Sequence, residues 1–361
     1  MKIANLFIAF VIVFATSNGA IAKVNLPVDS FPFFAADNPN FQYVGRIDFS
    51  NAKKPRFWSP GVYITAKFKG PYCELLITDQ ELWGKNHNYV EIVIDGKPVR
   101  IQTKEKDNHI IIAQYLTDAE HTLVICKNTE SNIGYLEFNG LKCAALLPLP
   151  AKPARKIEFI GNSITCGASS DQSVVPCGKG VWQDQHNAYL SYGPTVARNF
   201  NAQYHLSAVS GIGLMHSCCG MDIVMPPVFD KIDMRGDSLA WNFANYQPGL
   251  VTVCLGQNDG IQDSVIFCTN YVKFIAQLRA HYPKTTLLLL TSPMGDEKLT
   301  PVLKNYLASI KKKVHKNGDK NIYTYFYSRR YHNGCDSHPD LADHQLIAAE
   351  LNVYIKKIMG W

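Results

Sequence analysis

The stretch Lys156-Ile157-Glu158-Phe159-Ile160-Gly161-Asn162-Ser163-Ile164-Thr165 decides the fold of this chain. Its first half is a short apolar run of the kind that forms a buried strand. Glycine ends the run and a helix begins, so a turn there exposes the Ser163 hydroxyl and aims backbone N–H groups at a bound acyl oxygen. Four more apolar runs follow at 204–209, 250–255, 286–290 and 322–326. Helical stretches at 192–200, 265–281, 301–316 and 341–358 alternate with them. Strand–helix alternation predicts a parallel five-stranded sheet covered on both faces. Working residues in such sheets gather at the carboxyl ends of the strands. Ser163, Gly211 and Asn258 all fall just past a strand end.

Two further segments complete a chemical set. Gly256-Gln257-Asn258-Asp259 and Asp336-Ser337-His338-Pro339 follow in that order. Ser163 offers a hydroxyl nucleophile and His338 an imidazole base. The backbone N–H groups of Ser163 and Gly211 and the side-chain amide of Asn258 are the candidate oxyanion donors. Asp336, two residues before His338, is the candidate acid that orients the imidazole in a triad. Each signal is weak alone. A serine after glycine is usually a turn or N-cap residue, Asn-Asp-Gly is turn chemistry, and one histidine among 11 is usually structural or exposed. Their placement in order at strand ends outweighs those plainer roles, and together they suit ester cleavage through an acyl-enzyme.

Upstream the rhythm differs. Within 23–147, runs at 63–68, 89–94, 121–125 and 135–138 alternate with period two, and Asp95-Gly96 and Asn139-Gly140 read as tight turns. No helix-period stretch interrupts them, which predicts an all-β sandwich of jelly-roll type. Three prolines within 148–153 make a stiff connector and the domain boundary, leaving 154–361 as the catalytic domain. Residues 1–22 carry one lysine, an apolar stretch from Ile3 to Ala15 and Ala20-Ile21-Ala22, the pattern of a secretory signal peptide. The mature chain is therefore expected to be secreted or periplasmic, with no membrane partner.

At 361 residues and 47% hydrophobic content the chain can bury a large core. A net charge of +6 with scattered basic residues gives no nucleic-acid footprint; Lys311-Lys312-Lys313 fits a solvated helix face. Of 10 cysteines, Cys126 and Cys254 read as core residues. Cys177, Cys218, Cys219 and Cys335 lie in polar loops and are the disulfide candidates, with their pairing open. His332, Cys335, His338 and His344 have loosely zinc-like spacing but no matching second ligand pair, so no metal is assigned.

Ser163, Gly211, Asn258 and His338 in this order resemble the SGNH (GDSL-type) hydrolase superfamily. The stretch from Ile157 to Gly167, Asn187-Ala188-Tyr189-Leu190-Ser191-Tyr192-Gly193, Phe57-Trp58-Ser59-Pro60-Gly61 and Gly134-Tyr135-Leu136-Glu137-Phe138-Asn139-Gly140 resemble carbohydrate esterase family 2. The resemblance implies a β-sandwich ahead of an α/β SGNH hydrolase domain. It also implies an acetylesterase acting on acetylated polysaccharides or oligosaccharides such as xylan or mannan, without cofactor; a monomer is expected. Trp182 and Tyr189 are the candidate sugar contacts, ahead of Trp83 and His87, whose plain packing role is the other reading. Two departures stand out: Asn162 occupies the usual aspartate position, and Cys335 stands three before the histidine where that superfamily has its acid. Two rival functions remain, an esterase or lipase for non-carbohydrate esters and a non-catalytic carbohydrate-binding protein.

Overall fold

Period-two alternation builds the first half of the chain into antiparallel strands. The computed structural model describes residues 31–235 and 239–361, so the expected signal peptide at 1–22 lies outside the described residues. The strands are β1 (Phe33–Ala35), β2 (Gln42–Val44), β3 (Arg56–Phe57), β4 (Tyr63–Asp79), β5 (Tyr89–Ile94), β6 (Lys97–Gln102), β7 (Asp107–Ala113), β8 (Glu120–Lys127) and β9 (Leu136–Leu147). They run in the order β1-β9-β4-β8-β5-β6, with β2 and β7 also on β4 and β3 on β9. The 17-residue β4 pairs with β8 through its first half and with β7 through its second. Its register with β9 breaks between Lys69 and Cys73, where the strand changes partners. Phe68, Leu75, Leu123, Ile125 and Phe138 share the apolar core.

One expected turn is absent. Asp95-Gly96 does turn, with φ of 49° and 79°, but Asn139-Gly140 lies inside β9. A Cβ on Gly140, whose φ is 143°, would stand 2.1 Å from the Phe34 carbonyl oxygen. The glycine therefore permits close approach of β1 rather than a reversal of the chain.

The second half is a parallel sheet of β10 (Arg155–Gly161), β11 (Ala202–Ala208), β12 (Leu250–Cys254), β13 (Thr286–Leu290) and β14 (Ile322–Tyr325). Its order is β11-β10-β12-β13-β14. Between the strands run α1 (Ser163–Cys166), α2 (Tyr192–Asn199), α3 (Met225–Val228), α4 (Ser264–His281) and α5 (Leu299–Lys316), and α6 (Leu341–Met359) closes the chain. Neighbouring β10 residues belong to different cores: Ile160 packs with Phe267, Phe274 and Leu303, whereas Phe159 packs with Tyr192, Ile347 and Leu351. That is the mark of a sheet buried on both faces. The strand order reverses at β10, which has β11 on one side and β12 on the other. A crevice opens at the carboxyl ends of strands beside such a switch point.

Residues Pro32–Trp361 form one unit. The proline connector is hydrogen-bonded on both sides: Gln42 Nε2 donates to the Pro150 carbonyl at 2.7 Å, and Gln203 Nε2 to that of Pro153 at 2.7 Å. Beside it Tyr63 stacks on Tyr204 at 4.6 Å, and Arg46 pairs with Glu158 of β10 at 2.9 Å with both side chains buried.

Candidate active site

Ser163 is the first residue of α1, two past the end of β10. Asn162 caps that single turn, its side-chain oxygen accepting the Ile164 N–H at 3.2 Å, so the amide keeps one hydrogen bond that a carboxylate would make there. Gly167 ends the turn in the left-handed region at φ 70°, where a Cβ would meet the Asn187 carbonyl oxygen at 2.4 Å. A hydrogen bond of 2.8 Å between the Thr165 and Tyr192 hydroxyls ties α1 to α2. The turn that carries Ser163 is thus fixed from several sides while Ser163 stays 8% exposed.

His338 arrives from just before α6, with its Nε2 at 2.9 Å from Ser163 Oγ. Its loop is anchored by the Cys177–Cys335 disulfide and by the Cys335 N–H, which donates to the Ser169 carbonyl at 3.0 Å. Nδ1 of His338 is buried without a hydrogen-bond partner. Burial holds this imidazole below the ordinary histidine pKa, against the opposing pull of the Cys335 and Asp336 carbonyls and the weaker charge of Asp336. The Asp336 side chain is exposed, on a residue in the left-handed region at φ 51°, and among the described residues no carboxylate hydrogen-bonds the ring.

Gly211 and Asn258 reach the same cleft, about 460 Å³ in volume. Gly211 has φ 82°, and a Cβ there would lie 2.8 Å from Met221 Sδ and 3.0 Å from Cys218 Sγ, so only glycine fits. Asn258 Nδ2 donates to the Ile212 carbonyl at 2.8 Å, which leaves its second N–H for a ligand. Neither the Ser163 nor the Gly211 N–H has an acceptor among the described residues. N–H groups from the start of α1, the loop after β11 and the loop after β12 therefore share one cleft with a hydroxyl–imidazole pair.

Other candidates divide. Trp182 lines the cleft, 39% exposed, its ring edge-on to His186 at 4.2 Å. Tyr189 does not line it; its ring lies under the Arg198 guanidinium at 4.1 Å. Trp83 and His87 are also absent from the cleft wall, and Trp83 is 77% exposed. The four loop cysteines pair as Cys177–Cys335 and Cys218–Cys219, while Cys126 and Cys254 are buried thiols. The zinc-like spacing does not converge: Cys335 is in a disulfide and His344 Nδ1 accepts the Tyr192 N–H at 3.2 Å.

Three contributors escaped sequence reading. Asp259 accepts the N–H groups of Leu214, Met215 and His216 at 2.9, 2.7 and 3.1 Å, locking the Gly211 loop to the Asn258 segment. Asn-Asp-Gly looks like turn chemistry, and the carboxylate's partners are some 45 residues away in sequence. Asn132, from the antiparallel half, lines the cleft, as does the Cys218–Cys219 pair. Adjacent cysteines at 218 and 219 are the one visible signal for the latter.

Residues 159–320, which include Ser163, Gly211 and Asn258 and end before His338, match the GDSL-like lipase/acylhydrolase family. Residues 43–153 match the carbohydrate esterase 2 N-terminal family. The chain belongs to carbohydrate esterase family 2. It is 30% identical over 341 residues to the cellulase/esterase CelE of Acetivibrio thermocellus, covering 90% of this chain and 40% of that protein's length. It is 26% identical to an acetylxylan esterase/glucomannan deacetylase of Cellvibrio japonicus, over 91% of both chains. The structure of a family two carbohydrate esterase from Clostridium thermocellum in complex with cellohexaose superposes with a TM-score of 0.80 at 28% identity, covering 89% of this chain and 99% of that one.

Proposed function

We propose that this chain is an exported, monomeric carbohydrate O-acetylesterase that removes acetyl groups from plant polysaccharides of the xylan or mannan type. The observation that carries the reading is the 2.9 Å contact between Ser163 Oγ and His338 Nε2, beside N–H groups of Ser163 and Gly211 that have no other acceptor among the described residues. In this mechanism the Ser163 hydroxyl attacks the acetyl carbonyl while His338 Nε2 takes its proton. The oxyanion receives hydrogen bonds from the Ser163 and Gly211 N–H groups and from Asn258 Nδ2. Collapse breaks the ester C–O bond, and the imidazolium returns the proton to the departing sugar oxygen. Water, deprotonated by His338, then attacks the acetyl-serine and releases acetate.

Ser163 and His338 act as a dyad in this proposal. The backbone carbonyls of Cys335 and Asp336 pull the imidazole toward its protonated form and so support its taking the serine proton. The Asp336 carboxylate contributes through charge alone. Trp182 offers an aromatic face for a sugar ring at the cleft mouth, a role for which Tyr189 is badly placed. No described helix is long and apolar enough to cross a membrane.

The test is acetate release from acetylated xylan, acetylated glucomannan and chitin, with 4-nitrophenyl acetate, butyrate and longer esters alongside. Release from xylan or glucomannan with acetate preferred is the expected result. Preference for long acyl chains would favour a lipid esterase, and saccharide binding without turnover a binding protein.

A further inference from the structure

We infer that Glu130, a side chain of the β-sandwich half, is a positioning residue that holds the oxyanion loop in register with Ser163. The inference rests on the esterase reading above and assigns that site a component from outside the hydrolase half.

Glu130 lies between β8 and β9, at the entry to a short 3-10 turn over Ser131–Ile133. Its side chain is 0% exposed. One carboxylate oxygen, Oε2, accepts the Ser210 N–H at 2.6 Å, and Ser210 immediately precedes the Gly211 donor. The same oxygen accepts the Cys166 thiol at 3.7 Å, and Cys166 is the last residue of α1, whose first is Ser163. The other oxygen faces His186 Nε2 at 3.5 Å, and that imidazole is also fully buried. One carboxylate thus touches both the segment that carries the nucleophile and the segment that carries the second oxyanion donor.

A buried carboxylate is costly unless its oxygens are engaged, so the chain had an easier option in a neutral residue here. Burial works against its charge, yet His186 and the Ser210 N–H outweigh it and hold the Glu130 carboxyl below its ordinary pKa. A charged acceptor gives a shorter, stronger bond to an N–H than a neutral one. That strength is useful at Ser210, because the Gly211 N–H must stay within about 0.5 Å of its productive position. The loop after β11 has other anchors: Asp259 grips residues 214–216 and Asn258 Nδ2 donates to the Ile212 carbonyl, whereas Glu130 holds the N–H of Ser210, directly before Gly211. The neighbouring residue Asn132 reaches the cleft from the same turn.

A plain alternative is that Glu130 merely fastens the two halves together. The two roles separate in kinetics. A misplaced oxyanion donor weakens the transition state and leaves ground-state binding unchanged, so kcat falls and KM does not. A fastening residue moves stability and the active fraction alone.

The experiment uses the full chain with Glu130→Gln and Glu130→Ala, active sites titrated with a fluorophosphonate, and 4-nitrophenyl acetate as substrate. The expected result is a kcat per active site about 10-fold lower in E130Q and about 100-fold lower in E130A, with KM within about twofold in both. Partial rescue by glutamine follows because its amide oxygen can still accept the Ser210 N–H. Unchanged kcat in folded E130Q, or a loss confined to KM or to stability up to failure of both variants to fold, would overturn the inference. A wild-type chain inert toward the ester would instead remove the esterase reading, and the inference with it.

Discussion

Two buried glutamates cross between the halves of this molecule, one within the parallel sheet and one beyond its carboxyl end. Glu158, the central residue of β10, pairs with Arg46 of the antiparallel half and accepts the hydroxyls of Ser207 and Tyr282 at 2.5 and 2.6 Å. Glu130 comes from the antiparallel half and engages Ser210, Cys166 and His186 beyond the carboxyl ends of the strands. Both are fully buried. Their partners differ: Glu158 touches β11, the residue just past α4 and Arg46, all parts of the scaffold, whereas Glu130 touches α1, which carries Ser163, and the loop that carries Gly211. The same electrostatic device serves cohesion within the sheet and geometry beyond its carboxyl end.

The largest effect that would break this contrast lies at the functional end. His338→Ala removes the only base in reach of Ser163 among the described residues, and kcat is expected to fall on the order of 1000-fold with folding intact by circular dichroism. A folded variant within tenfold of wild type would place the base elsewhere. Within the scaffold, Arg46→Ala strands the buried Glu158 carboxylate, with an expected loss of roughly 3–5 kcal/mol in denaturant unfolding. The surviving folded fraction should keep its kcat per active site. A fall in kcat without a fall in stability would erase the distinction between the two glutamates.

Asn258→Ala comes next: it removes the proposed side-chain oxyanion donor, and kcat is expected to fall roughly 100- to 1000-fold at constant KM. The smallest effect belongs to Asp336. An exposed carboxylate with no hydrogen bond to the imidazole is screened by water, so Asp336→Ala should cost less than about tenfold in kcat. The pH profile sharpens this. His338 is active as a base only when neutral, and burial pushes its pKa below the usual value near 6.5. Activity should therefore be lost only as pH falls through an inflection below about 6.5 in kcat/KM. Because the Asp336 charge favours the imidazolium, its removal should move that inflection to lower pH. Losses at Asp336 equal to those at His338 would demand a full triad.

The sheet core was legible in sequence because burial on both faces leaves nearly continuous apolar runs, such as 250–255, interrupted only by Thr252, and 287–290, which lies between threonines. The nucleophile turn was legible because Gly161 and Ser163 sit at the end of such a run. The antiparallel half was harder. β4 runs 17 residues through Gly70-Pro71, which break the alternation where the strand changes partners, and only its start was visible. Gly140 carried a turn signature that the approach of β1 overrode. The pairing of Cys177 with Cys335 was unreadable because it spans 158 residues. Glu130 and Asp259 had no local signal, since their partners are about 80 and 45 residues away. What remains hidden from a linear reading is long-range polar contact, where neither period nor spacing records the partner.

Passage of the acetyl group through Ser163 under the control of His338 is the step on which the proposed activity depends. Rapid quenching of the full chain with 4-nitrophenyl acetate, followed by peptide mass spectrometry, measures it directly. The expected result is an acetyl group on the peptide containing Ser163 in the wild type and its absence in Ser163→Ala, which should also lose turnover. Turnover by a Ser163→Ala chain at the wild-type rate, or an acetyl group found on another residue alone, would contradict it.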